Sequence, residues 1–251
     1  MAIARNNVMC DIYIGSGAGR LFLEELDTAE HSIKIVSPYL SPSIIKKLID
    51  YKNNKNLDVQ LITVDNLEDF YGDYDKNIHK LIQQKRHTDG EMEKKRNKFL
   101  KYEKILKYFS WITLLSFSTL YYLGKVPLSF SLIPISALVT KWLIGNINSN
   151  MRIYHYSYHQ LFPFVVYANT YSNTFIHSKI YIIDDKIAYL GSLNFTKSAA
   201  KENHETRIRT EDKKALEGIK VEFENLMENK YNLPYLNIEE WGKLLYSEPI
   251  N

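Results

Sequence analysis

Two hydrophobic periods alternate along this chain, and the point where they stop divides it. Asp11–Ile14 reads as a short strand, followed by Gly15-Ser16-Gly17-Ala18-Gly19 and a helical pattern with Leu21, Leu23 and Leu26 apolar against Glu24 and Glu25. Ser32–Ser37 (SIKIVS) predicts a strand. Ser41-Pro42 then supplies an N-cap and a proline at the first helical position for a helix through Ile44, Ile45, Leu48 and Ile49, running to about Tyr51. Leu57–Val64 predicts the next strand, completing an α/β rhythm. After Asp65 the rhythm stops, and it resumes at about Met151. From there strands are expected at 151–156, Phe164–Tyr167 and His204–Arg209. A hairpin turns at Asp184-Asp185-Lys186, between Ile180–Ile183 and Ile187–Leu190. Asp212 caps a helix through Leu216, Ile219, Phe223, Leu226 and Met227, and Trp241, Leu244 and Leu245 mark a short last helix.

The interruption has two parts. Residues 76–107 are polar and basic, with Gly90 the only glycine and no proline, which predicts one or two exposed helices. Tyr108–Leu123 then carries no charge, Gly124-Lys125 breaks the run, and Val126–Ile144 carries only Lys141. A spanning helix needs about 20 mostly apolar residues. The second segment has that length; the first reaches it if Ile105 and Leu106 join and Lys104 and Lys107 snorkel. Trp111, Tyr121, Tyr122 and Trp142 lie near the ends, where amphipathic rings favour an interface. A membrane hairpin over 108–145 is therefore expected, with a buried hairpin in a soluble core as the alternative. Two spans return the chain to the side it left. The flanking basic run puts that side in the cytoplasm and against anionic headgroups. The expected organisation is 1–75 and 146–251 as two parts of one α/β domain, with the basic helical segment 76–107 and the hairpin 108–145 between them.

Composition adds little. A net charge of +3 is too small to name a partner. The single cysteine, Cys10, excludes an intrachain disulfide and is expected to be a small buried apolar residue. Residues 1–10 lack the basic start and apolar core of a signal peptide. The glycine-rich turn at 15–19 fails the dinucleotide pattern, because its third glycine comes one place early, and reads as a flexible helix-capping turn. His155 and His159 have metal-ligand spacing but no third ligand, and read as packing or surface residues.

Chemistry concentrates in HSKIYIIDDKIAYLGSLNFT, residues 177–196. Alternation puts His177 and Lys179 on one side of an extended segment, and the return strand ends at Gly191 with Ser192 and Asn194 nearby. An imidazole, an ammonium, a hydroxyl and an amide converge, a set suited to holding an anion around a nucleophile or base. The spacing His177-x-Lys179-x4-Asp184-x6-Gly191-Ser192-x-Asn194, with Thr196 and Asn203-x-Glu205 beyond it, resembles the HKD signature of the phospholipase D superfamily. The alternative, surface residues of an ordinary hairpin, leaves Gly191, Ser192, Asn194 and Glu205 unexplained.

That resemblance implies a mixed sheet flanked by helices and a phosphodiesterase that needs no metal or other cofactor. It assigns His177 as the nucleophile forming a phosphohistidine, Lys179, Ser192 and Asn194 as the phosphate-binding groups, and Glu205 as the acceptor that orients His177. Asp184 belongs to the signature, and its place in the turn suits it to fixing that turn. The family uses two signatures, whereas no second His-x-Lys occurs in this chain. A homodimer would restore the pair. The compact single-signature form is similar to bacterial and mitochondrial endonucleases, which puts nucleic acid first as substrate. Phospholipid or cardiolipin comes second, and a membrane-bound binding protein with a vestigial site third.

Overall fold

In chain order the strands are β1 (Asp11–Ser16), β2 (Ser32–Val36), β3 (Asp58–Val64), β4 (Ile82–Thr88), β5 (Tyr154–Gln160), β6 (Phe164–Tyr167), β7 (Ile180–Ile183), β8 (Ile187–Gly191) and β9 (His204–Thr210). The helices are α1 (Arg20–Asp27), α2 (Pro42–Asn54), α3 (Gly90–Tyr122), α4 (Leu132–Ser149), α5 (Lys197–Lys201), α6 (Lys213–Met227) and α7 (Ile238–Leu245). The computed structural model describes residues 4–65, 81–168 and 176–251. The chain divides into two units, Met1–Gln83 with Tyr158–Leu245, and Gln84–Ser157 with Tyr246–Asn251. The division falls within a two-stranded ribbon of β4 and β5.

The first unit is built on a seven-stranded sheet in the order β1-β9-β8-β7-β2-β3-β6. β2, β3 and β6 run parallel, with α2 returning the chain between the first two, while β7, β8, β9 and β1 add as antiparallel neighbours. The sheet is thus mixed and flanked by helices, as expected. Its central strands are buried on both faces: β7 is covered at every position and β2 at all but its first. On one face, Val36, Ile62, Ile182 and Ala188 pack with Leu216, Phe223 and Leu226 of α6. On the other, Phe22 of α1 stacks among Tyr181, Tyr189 and Phe195, with ring centroids 4.5, 5.2 and 5.8 Å away. Burying each such ring stabilises the fold by about 1.5–3 kcal/mol. Gly19 sits where α1 meets α5: a Cβ there would lie 2.5 Å from the Ala200 Cα, so a larger residue would push the two elements apart.

In the second unit α3 and α4 pair as antiparallel helices joined by a turn and a short 3-10 segment, Leu128–Ser131. Asp89 caps α3 by accepting from the Glu91 and Met92 amides, both at 3.0 Å.

The structure corrects three readings, at residues 82–88, along α3 and at Cys10. Residues 82–88, expected to be helical, form strand β4; IQQKRHT alternates too weakly in polarity to announce a ribbon. The rest of the basic run and the first apolar run form one continuous helix, α3, because no breaker separates them. Among the described residues only Leu128–Ser149 is long and apolar enough by itself to cross a membrane. Cys10 is exposed, since it lies just before the edge strand β1. Residues 66–80, which include Lys76 and Lys80 of the basic segment, lie outside the described residues.

Candidate active site

The 177–196 stretch folds around the β7–β8 hairpin, with Ile180 opposite Leu190 and Ile183 opposite Ile187. At its tip Asp184 and Asp185 have φ of 51° and 55°, and the Lys186 amide donates to the Ile183 carbonyl at 2.9 Å. Two successive left-handed residues match the twist of a hairpin, and aspartate tolerates that conformation. The Asp184 carboxylate accepts from the backbone amides of Glu30, His31 and Ser32 at 3.0, 2.7 and 2.8 Å. Burial alone would raise its pKa; the amide bonds outweigh burial and hold the carboxyl below its ordinary range. Asp184 therefore clamps the hairpin tip to the start of β2. It stands at the end of β7 away from Lys179, about 16 Å along an extended strand.

At the other end of β7 the remaining residues assemble. His177 and Lys179 precede the strand, and the Lys179 ammonium lies 2.9 Å from Nδ1 and 3.1 Å from Nε2 of the His177 ring while donating to the His177 carbonyl at 2.8 Å. The expected same-side arrangement is present. His177 is exposed, and the partial desolvation by its neighbours, followed by the adjacent Lys179 charge, holds its imidazole below the ordinary range. Burial also pulls Lys179 down, opposed by the attraction of the Glu205 carboxylate. Lys179 is only 5% exposed, so its charge acts in a medium that screens it poorly.

The return strand ends at Gly191, whose φ is +146° and where a Cβ would lie 2.0 Å from the Thr206 carbonyl oxygen. Only glycine permits this close pass of β8 against β9, and it delivers Ser192 to the start of β9. The Ser192 amide donates to the Thr206 carbonyl at 3.0 Å, and the Thr206 amide returns a bond to Ser192 Oγ at 3.0 Å. Ser192 Oγ donates to Glu205, whose other oxygen accepts from Asn203 at 3.3 Å. Glu205 is thus joined to Ser192 by a hydrogen bond and to Lys179 by charge. Among the described residues Asn194 Oδ1 is buried without a hydrogen-bond partner. Thr196 caps α5 by accepting from the Ala199 amide at 3.2 Å.

The motif alone does not reveal what holds these groups. The loop after β2 lies alongside: Ser37 Oγ donates to the Tyr39 carbonyl at 2.8 Å and accepts from the Phe195 amide at 3.0 Å. Tyr181 OH donates to the Leu193 carbonyl at 2.6 Å. The Tyr39 ring meets His177 edge-on at 6.5 Å between centroids. Ser37 and Tyr39 escaped the sequence reading because SPYL resembles any strand-to-helix loop; the only local signal was its position after a strand of a parallel pair, where α/β sheets place ligands. Among the described residues no three His, Cys, Asp or Glu side chains cluster as metal ligands.

Residues 139–227, which contain the whole signature, match the family described as "Cardiolipin synthase, PLD-like domain". No curated protein matches the chain. Solved structures similar to it include Nuc of Salmonella typhimurium, a phospholipase D family member, at 17% identity over 91% of this chain and 99% of that one, with a TM-score of 0.40. NucT from Helicobacter pylori aligns at 18% identity over the same shares, with a TM-score of 0.43. Phosphatidylserine synthase of Haemophilus influenzae Rd KW20 aligns at 15% identity over 96% of this chain but 43% of that one, with a TM-score of 0.44. These distant similarities carry no argument about substrate.

Proposed function

We propose that this chain, whose residues 139–227 match the PLD-like domain family, is a membrane-anchored, metal-independent phosphodiesterase of the phospholipase D superfamily acting on nucleic acid through a site shared by two subunits. The observation that carries the chemistry is the convergence of His177, Lys179, Ser192 and Glu205 around one end of β7, with Asn194 two positions beyond Ser192. A phosphodiester is anionic and weakly electrophilic, so fixed cations and donors must offset its charge. Lys179 does so with a buried ammonium, and the Asn194 amide supplies a further donor. His177, its pKa lowered by partial desolvation and by the Lys179 charge, attacks phosphorus in its neutral form, and the bond from phosphorus to the leaving oxygen breaks as the phosphohistidine forms.

The leaving oxygen departs on the opposite side of phosphorus and takes a proton there. This chain has no second His-x-Lys to supply it, so the donor is His177 of a second subunit across a two-fold axis, protonated when the anionic phosphodiester lies between the two rings and favours one imidazolium in the pair. That imidazole, now neutral, takes a proton from water; the water oxygen attacks the phosphohistidine, and the nitrogen–phosphorus bond breaks. Both histidines return to their starting states.

Anchoring rests on the second unit. Large apolar side chains of α3 and α4 face outward, Trp111, Ile112, Leu115, Leu132 and Trp142 among them. Ser110, Thr113, Ser118 and Thr119 of α3 and Ser136 and Thr140 of α4 donate to carbonyls of their own helix, leaving little polar demand on the surroundings. From Ile105 to Leu123, α3 rises about 28 Å, close to the roughly 30 Å hydrocarbon core of a bilayer. The two helices therefore span as a hairpin, with the charged half of α3 and the catalytic unit in the cytoplasm.

The same apolar surface favours a second reading, a phospholipid or cardiolipin phosphodiesterase. Turnover of single-stranded DNA and of cardiolipin vesicles by one purified preparation separates the two. The proposal expects cleavage of DNA with cardiolipin left intact, and the reverse overturns it.

A further inference from the structure

Register within the helical pair places charges that sequence spacing leaves unrelated. A Cβ on Gly145 would lie 3.3 Å from Glu103 Oε1, so residues 145 and 103 stand at one level of the antiparallel pair. Lys141 is one turn before Gly145, and Lys107 is one turn after Glu103. The two lysines therefore share a level, with Lys104 about one turn outward on the same face of α3 as Lys107. The hollow lined by Ile112, Thr113, Phe117, Phe130, Ile133 and Pro134 has the same pairing, which carries the register to the far end of the hairpin.

Lys141 is half-buried beside α3, and among the described residues no hydrogen bond or ion pair engages Lys104, Lys107 or Lys141. The nearest acid in the register, Glu103, lies farther out against Gly145. Two amphipathic rings stand at the same height: Tyr108, 59% exposed, and Trp142, 67% exposed. Three unpaired ammonium groups with two exposed rings, at the border between a charged and an apolar helix surface, fit a ligand with an anionic head and an apolar tail. A lysine half-buried in an apolar hairpin without a partner is costly unless an anion completes it.

We propose that Lys104, Lys107 and Lys141, flanked by Tyr108 and Trp142, form a binding site for the headgroup phosphate of an anionic phospholipid, distinct from the catalytic site. Lys141 reaches the phosphate from the seam between the helices, and Lys104 and Lys107 close on it from α3. The acyl chains lie along the outward apolar faces. This rests on the hairpin spanning the bilayer.

The test uses the full chain in phosphatidylcholine vesicles with and without phosphatidylglycerol, with tryptophan quenching by brominated forms of each lipid as the readout. Alkaline carbonate extraction is run on every sample. Wild-type protein stays in the pellet and is quenched preferentially by brominated phosphatidylglycerol. Lys141→Gln lowers that preference about fivefold, as does each of Lys104→Gln and Lys107→Gln. Lys125→Gln, at the opposite end of the hairpin, leaves it unchanged. Equal quenching by the two lipids in wild-type protein that resists carbonate overturns the lipid site while the hairpin stands. Release of wild-type protein by carbonate overturns both.

Discussion

The Lys179 ammonium touches both ring nitrogens of His177, at 2.9 and 3.1 Å, while its third short contact is the carbonyl of the same histidine. A cation in that position opposes protonation of the ring and leaves it a nucleophile at neutral pH. The His177 titration should therefore have its midpoint below the 6.5 of a free histidine. Lys179→Met removes one of the two causes, and the midpoint should rise toward 6.5, with the remaining partial desolvation keeping it from going higher. Two-dimensional NMR of labelled histidine measures both values. An unchanged midpoint in the variant would show that Lys179 does not set the protonation of His177.

Asp184 fixes geometry from a distance. Its carboxylate holds three consecutive backbone amides at the start of β2. Asp184→Ala should cost about 1–3 kcal/mol of stability, because partly exposed amides regain water while the hairpin tip loses its tether. Folded variant should keep most of its turnover, as the residue stands away from the reacting groups. The pH dependence has a definite sign. The folded pKa lies below the unfolded value, so the carboxylate's contribution is present above the unfolded pKa and is lost as pH falls through the folded one. The stability gap between wild type and variant should begin to narrow below about pH 3.9 and close only once pH is below the lower, folded pKa. A folded Asp184→Ala protein without activity would place the residue in the reaction instead.

The proposed sharing of the site by two subunits gives a quantitative expectation for mixed subunits. Each site needs both histidines, so random mixing of wild-type and His177→Asn subunits in equal amounts should leave about a quarter of the activity. Independent sites would leave half. Activity plotted against mutant fraction distinguishes the curve from the line.

Much of the first unit was legible from sequence. SIKIVS and Leu57–Val64 became the parallel pair β2 and β3, and Asp212 caps α6 by accepting from the amides of Lys214 and Ala215, both at 3.0 Å. The hairpin around Asp184 was readable because its apolar runs and turn residues are local. The partners of Asp184 were not, since Glu30, His31 and Ser32 lie more than 150 positions away and contribute only backbone. For Glu205, spacing identified the residue but not its bonds to Ser192 and Asn203, which depend on the register of β8 against β9. β4 was missed because its pairing with β5 needs backbone bonds more than a buried apolar face: five of its seven positions, Gln83 and Lys85 to Thr88, are exposed, and Gln84 is half-buried. Composition separated the basic half of α3 from its apolar half, yet the backbone sees no boundary between two runs of helix-forming residues.

The central claim is that His177 attacks phosphorus without help from a metal. Hydrolysis of an activated phosphodiester by wild-type protein and by His177→Asn, both in excess EDTA and both shown to be folded, tests it most directly. Wild-type turnover should be unaffected by the chelator, because Lys179 and Asn194 provide the offset of charge, and the variant should be slower by about 1,000-fold or more. Loss of wild-type activity in EDTA with recovery on adding a divalent ion, or a folded variant retaining a tenth of the activity, would contradict the account.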